Sequence, residues 1–323
     1  MLTYVVRRVL QIVPVFIGVT ILLFLLRSPV LVPGDPVRML AGERAITPEI
    51  RAAVTAKYDL DKPIYVQYYR YMSGLLRGDL GESYQLKRPV ETILMEKFPN
   101  TLKLAAAAIC IEALLGLGAG ILSAVKRFSF WDMLVTLSTS ILVSLPVFWL
   151  GMLLQLMFGV KFKEWGLPYL PVSGIFGTGF SGWVYFILPA LTLASVSTAY
   201  AARITRSQLL EVMRQDYIRT AAAKGLALGQ IIRRHALKNA MIPVITFLGL
   251  DLGAMVGGTI LTETVFNWPG VGLAMYKAIN LRDWPIVTGG VLIIVVIVMV
   301  INLLVDISYA FLDPRIRYGR VAR

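Results

Sequence analysis

Three carboxylates stand inside strongly apolar stretches of the chain: Glu112, Asp251 and Asp306. A charge at the bilayer centre costs about 2.5–3.5 kcal/mol on insertion scales. Acids placed there must face protein or water, and an ion or proton relay is the functional default. None of the three has a Lys, Arg or His within its own apolar stretch, which favours interhelical hydrogen bonding over proton coupling. Other reactive side chains are scarce. One cysteine, Cys110, excludes an internal disulfide and a Cys-based metal cluster. One histidine, His235, excludes a multi-histidine metal site. There is no G-x-x-x-x-G-K-[ST] phosphate loop, because Lys224-Gly225 runs in the reverse order. No Ser/His/Asp constellation is visible. The chain reads as non-catalytic and without a bound cofactor or metal, so any energy for pumping comes from another chain.

The elements that hold these acids follow from composition. Of 323 residues, 57% are hydrophobic and 16% charged, against about 25% charged in soluble domains. Mean hydropathy is +0.71. Such a chain cannot cover its surface with polar groups, which excludes an ordinary soluble enzyme and a disordered protein. Six apolar runs are long enough for membrane spans. They are Val9–Leu26, Leu104–Val125, Met133–Phe158, Phe186–Ile204, Met241–Leu261 and Ile286–Leu312. The first exceeds a signal-peptide core and lacks a small-residue cleavage site, so it reads as an uncleaved helix. Spans two, four and five are rich in Gly, Ala and Ser, which suits close helix packing.

The net charge of +13 is distributed unevenly. Sixteen Lys and Arg fall on one set of ends and loops: Arg7–Arg8, Lys126–Arg127, Arg203–Lys238 and the tail from Arg315. Four fall on the two short opposite loops. The positive-inside rule then predicts cytoplasmic N- and C-termini, and the charge needs no nucleic-acid partner. The predicted organisation is a first membrane helix (1–27), an extracytoplasmic module (28–97), a membrane core (98–309) and a cytoplasmic tail (310–323).

Within the module, Pro33-Gly34-Asp35-Pro36 is a turn signal. Thr47-Pro48-Glu49 predicts a helix start with Thr47 as N-cap, running to about Tyr58. A second helix is predicted over Tyr65–Leu76, where Tyr65, Tyr68, Tyr69 and Tyr71 cluster. They could pack a small lid on the outer membrane face or meet a docking protein. The loop from Ile204 to Ala240 carries seven basic and two acidic residues. Gly225 stops or bends a helix there. Leu228, Ile231, Ile232 and Ala236 then form an apolar stripe at i, i+3, i+4 and i+8. That amphipathic helix could lie on membrane lipid, pack inside its own protein, or fit a partner's groove.

Ordered short motifs run along the whole chain. They include Val5-Val6-Arg7-Arg8, Leu60-Asp61-Lys62-Pro63-Ile64, Gly78-Asp79-Leu80-Gly81 and Asn100-Thr101-Leu102. Longer ones are Asp216–Gly225, His235–Pro243, Thr262–Gly272 and the tail motif Asp313–Gly319. In these the chain resembles the permease subunits of bacterial ATP-binding-cassette importers, most of all the first permease of dipeptide and oligopeptide systems. The resemblance implies an all-α polytopic membrane protein with the six-helix type I importer permease fold and the small module between helices 1 and 2. It implies an inner-membrane complex with a second homologous permease, two ATP-hydrolysing subunits and an extracytoplasmic binding protein. Nickel, glutathione or oligosaccharide cargo would suit the same architecture, and a stand-alone ion-coupled transporter is the alternative from another class.

The resemblance also implies roles for residues. The general coupling motif of importer permeases begins Glu-Ala-Ala; here Arg219 stands at the Glu position, and Gly225 and Pro243 are 18 residues apart. Coupling to the ATPase would involve Asp216, Arg219, Thr220, Ala221, Ala223, Lys224, Gly225, Leu228, Ile231, Ile232, His235, Asn239 and Pro243, with the Leu228–Ala236 stripe seated in the partner's groove. An outer gate or pathway would involve Asp251, Thr262, Glu263, Phe266, Trp268, Pro269 and Gly270. For Trp268, anchoring at the membrane interface is the competing reading.

Overall fold

A computed structural model describes residues 2–27, 37, 47–58, 61–175 and 180–312. The turn expected at Pro33–Pro36 and the tail motif from Asp313 lie outside the described residues. Helix α1 spans Leu2–Arg27. Helices α2 (Pro48–Tyr58) and α3 (Ile64–Leu76) follow, with boundaries within a residue of those predicted. The Thr47 carbonyl accepts the first helical bond from Arg51 N, 3.0 Å. A side-chain hydrogen bond with Thr47 holds the exposed Glu49 carboxyl below its ordinary range. After α3, Gly78 and Gly81 adopt φ +80° and +88°. This left-handed backbone favours glycine and explains the spacing of Gly78-Asp79-Leu80-Gly81.

The remaining helices are α4 (Val90–Val125), α5 (Phe130–Ser144), α6 (Val147–Leu154, carried on to Glu164 through a π-helical turn) and α7 (Phe180–Val212). Helix α8 (Asp216–Ala223) and the short α9 (Leu228–Ile231) precede α10 (Leu237–Val265). Helices α11 (Val271–Asn280) and α12 (Trp284–Leu312) complete the described chain. Among the described residues, five helices are long and apolar enough to cross a membrane.

The third expected span is not one straight helix. Residues Phe130–Ser144 and Val147–Glu164 meet at 110°, so this stretch is a bent helix pair. Leu145 between them is extended, at φ −93° and ψ 134°. Pro146 follows it, and proline both lacks an N–H and disfavours helical geometry in the residue before it. A hydropathy run passes over such a break because the residues on both sides are apolar.

The chain divides into two compact units, Met1–Thr101 with Pro269–Met299, and Leu102–Trp268 with Val300–Arg323. In the first unit, α3 packs on α1. Tyr68 Oη is 3.0 Å from Thr20 Oγ1, and Phe24 contacts the rings of Tyr68 and Tyr71 at 5.4 and 5.7 Å. Tyr65 and Tyr69 are exposed, so the tyrosine cluster divides into a packing pair and a surface pair. The buried Asp283 carboxylate organises the turn at Ser83–Leu86. It accepts bonds from the Ser83 hydroxyl and from the Tyr84 and Gln85 amides, the latter two at 3.0 and 3.2 Å.

In the second unit, α7 packs against α10, α5 and α6. Glycines set its closest approach to α4. A Cβ on Gly116 would lie 2.7 Å from Ala201 Cβ, and one on Gly120 would lie 2.5 Å from Thr205 Cβ and 2.6 Å from the Ala202 carbonyl oxygen. Gly116 and Gly120 are four residues apart and share one helix face, as small residues do where membrane helices approach closely. Gly120→Leu is therefore expected to cost more than the 1–3 kcal/mol of ordinary overpacking. It should lower the melting temperature of the purified protein in detergent. Gly118→Ala, with open space around the new methyl, should leave it unchanged or higher.

Candidate functional site

The basic connection between α7 and α10 is a folded element. Helix α8 ends at Lys224, whose amide bonds the Thr220 carbonyl at 3.1 Å. Gly225 follows at φ +79°, and its amide bonds the Ala222 carbonyl at 2.9 Å. Gly225 is thus the left-handed residue that closes the helix. Helix α9 passes through a π-helical stretch, Ile232–Ala236, into α10.

The apolar stripe of this connection faces inward. Ile231, Ile232 and Ala236 are buried, and Ile231 and Ala236 join Ile218, Ala221 and Ala240 in a cluster with Ala124 of α4 and Leu209 of α7. Burying an isoleucine side chain is worth about 1.5–3 kcal/mol. This corrects the expectation that Leu228, Ile231, Ile232 and Ala236 together fill a partner's groove. Only Leu228, 56% exposed, is free to do so. The stripe's spacing was legible, but not the surface it covers.

The opposite face is open. Asp216, Arg219, Thr220, Ala223, Lys224, Gly225, Leu228 and Asn239 are exposed, as are Tyr217, Arg233 and Arg234. His235 and Pro243 are half-buried, and Ala221 is buried. Asn239 Nδ2 donates to Tyr217 Oη at 2.8 Å, tying the start of α10 to α8.

A second arrangement at this end of the unit involves residues to which sequence reasoning gave no role. Asp132, 5% exposed, opens α5. Its carboxylate accepts from Arg206 Nε at 2.8 Å and Nη2 at 2.9 Å, from the Phe128 amide at 2.9 Å, and from the Ser123 hydroxyl. One carboxylate thus joins α4, α5 and α7, in the forked geometry that arginine favours. An acid in the first turn after Lys126-Arg127 was the available signal; its partner lies 74 residues further on.

The expected gate residues lie in different settings. Thr262, Glu263, Phe266 and Trp268 are buried. Trp268 stacks edge-on against Phe186, with ring centroids 4.5 Å apart, and its amide bonds the Glu263 carbonyl at 2.8 Å. Asn267 makes the intervening turn at φ +47°. Gln155 Nε2 caps the same end of α10 by donating to the Val265 carbonyl at 3.0 Å. Trp268 is therefore a packing residue of the second unit. Its ring is fully buried within the chain and does not reach the surface, where an interfacial anchor would lie. Pro269 and Gly270 belong to the first unit, where the Pro269 carbonyl accepts from Asn100 Nδ2 at 3.0 Å.

Residues 116–318 match the family model described as binding-protein-dependent transport system inner membrane component, and residues 1–105 match its N-terminal companion model. The chain belongs to this family. It is a permease subunit of the ATP-binding-cassette importers. The chain is 40% identical to the di/tripeptide transport system permease protein DppB of Pseudomonas aeruginosa, over 99% of this chain and all of that protein. The glutathione transport system permease protein GsiC of Salmonella typhimurium is 39% identical, over 98% of this chain and all of that protein. The solved MetNI methionine transporter shares the fold, with a TM-score of 0.52 and 19% identity over 68% of this chain and 96% of that one.

The acids within the membrane spans of this family member behave differently from one another. Glu112 is fully buried on α4, and neither of its carboxyl oxygens has a hydrogen-bond partner. Asp251 of α10 faces it. Among the described residues, no Lys, Arg or His forms an ion pair with either, and no three potential ligands gather as a metal site.

Two substitutions test these assignments. Asp132→Ala leaves Arg206 without its carboxylate and is expected to cost roughly 2–4 kcal/mol of stability, read as a fall in denaturation midpoint in detergent. Trp268→Ala is expected to cost roughly 3–5 kcal/mol by the same measurement, as for other large core truncations. A Trp268→Ala variant as stable as the parent would contradict the packing role.

Proposed function

We propose that the chain forms half of the translocation pathway of an ATP-driven importer for di- and oligopeptides in a bacterial inner membrane. The observation that carries this reading is 40% identity over essentially the full length of di/tripeptide and dipeptide permeases. The pathway would be completed by a second, homologous permease. Two ATP-hydrolysing subunits would supply energy, and an extracytoplasmic binding protein would deliver cargo. ATP would be bound by those partners. The comparable match to glutathione permeases favours one second reading, glutathione, which is itself a small peptide.

The skewed distribution of Lys and Arg supports cytoplasmic N- and C-termini. On that orientation, the exposed face of α8 and α9 meets the ATP-hydrolysing subunit. The buried face carries motion onward, because Ile231 and Ala236 lie against residues of α4 and α7. A push on the open face therefore reaches two membrane helices through direct packing. Leu228, Arg233, Arg234 and Lys224 are the exposed groups placed to make the contact.

Gly225 supplies the test. A side chain there meets no steric neighbour, so its whole cost is the left-handed backbone, about 1–2 kcal/mol. Gly225→Val should leave the complex assembled and hydrolysing ATP in proteoliposomes. Binding-protein-dependent dipeptide uptake should fall severalfold relative to ATP hydrolysis. Unchanged uptake would count against coupling through this turn. Competition of labelled dipeptide uptake by unlabelled tripeptide, glutathione and nickel would separate the cargo readings.

A further inference from the structure

The first unit contains a cavity of about 290 Å³ lined by parts of α4, α11 and the start of α12. Its walls are mainly apolar: Ile93, Leu273, Ala278 and Ile286 are buried there, and Ala274 faces it. Two lysines also line it, Lys97 of α4 and Lys277 of α11. Neither forms an ion pair among the described residues. Glu96, beside Lys97 in the chain, is taken up by Arg88. Asp283 also lines the cavity; its carboxylate accepts from Ser83, Tyr84 and Gln85, neutral donors that hold it in place and leave its negative charge. The cavity thus combines an apolar interior with two lysines and one carboxylate, a net positive lining.

Its depth in the chain is informative. Ile286 opens the apolar run of the last span, and Lys97 stands seven residues before Leu104, where the second span's apolar run begins. Seven helical residues rise about 10 Å, and the polar layer on each side of the hydrocarbon is about 5–8 Å thick. A flexible lysine at that height reaches headgroup phosphates. Leu86, Met95, Ile279 and Leu281, close in sequence to the lining, are exposed apolar side chains, which suits contact with acyl chains.

We propose that this cavity is a binding site for an anionic phospholipid, with the phosphate held by Lys97 and Lys277 and an acyl chain against Ile93, Leu273 and Ile286. Charge and surface decide the occupant: two lysines against the Asp283 carboxylate leave one net positive charge in the lining, which a zwitterionic lipid leaves in place and the single negative charge of a phosphatidylglycerol headgroup neutralises.

The test uses the full chain in detergent, titrated with phosphatidylglycerol or phosphatidylcholine and read by native mass spectrometry. The parent is expected to retain one phosphatidylglycerol more tightly than any phosphatidylcholine. The double variant Lys97→Gln/Lys277→Gln should weaken that retention roughly tenfold, since each lysine near an anionic surface contributes a severalfold effect. Ala274→Leu, which fills the cavity without changing charge, should also lower it. Lys161→Gln/Lys163→Gln, a charge-matched change elsewhere, should not. Equal retention of the two lipids would overturn the site, as would unchanged retention in either cavity variant. Protection of Lys97 and Lys277 from acetylation by the binding protein, but not by phosphatidylglycerol vesicles, would assign the surface to a protein partner and overturn the lipid reading.

Discussion

The burial of Ile231 and Ala236 beside Ala124 and Leu209 is the constraint on which the coupling account depends. Without it the basic connection would be a flexible loop, and a push on it would be lost in the loop's own motion. With it, the connection is an extension of the membrane helices. The same packing decides which surface is left for a partner. An amphipathic helix has one apolar face, and once α4 and α7 occupy that face, only the opposite one is left exposed. That face is basic, and its large apolar groups are Tyr217, Leu226 and Leu228.

Two buried carboxylates stabilise the regions around this connection and the first unit. Asp132 joins α4, α5 and α7 through Ser123, the Phe128 amide and Arg206. Asp283 plays the corresponding part in the first unit, gathering a hydroxyl and two amides from the Ser83–Gln85 turn. Both acids satisfy most of their lone pairs with fixed donors, which is how a buried charge becomes tolerable. Glu112 is the contrast. It has no such donors and faces another acid, so it contributes no comparable anchor.

Local signals in the sequence were read accurately where the physics is local. Thr47-Pro48 starts a helix, Gly225 ends one, and five of the six apolar runs fall on membrane-length helices, the third falling on the bent pair. Signals that depend on distant partners were not legible. The spacing of Leu228, Ile231, Ile232 and Ala236 defines a stripe, yet nothing in the spacing says whether the chain itself or another protein covers it. Trp268 has the composition of an interfacial anchor, but its neighbour Phe186 lies 82 residues earlier in the chain. The Asp132–Arg206 and Ser83–Asp283 contacts join residues 74 and 200 apart. The break at Leu145-Pro146 was visible as a proline, but continuous hydropathy on both sides concealed it.

The central claim is that the exposed face of α8 and α9 meets the ATP-hydrolysing subunit while the stripe stays inside the permease. Site-specific photo-crosslinking in the assembled complex tests it most directly. A photoreactive residue placed at Leu228 or Arg234 is expected to crosslink to the ATP-hydrolysing subunit, and one at Ile231 only within the permease. Crosslinking from Ile231 to the partner, with none from Leu228 or Arg234, would contradict the account.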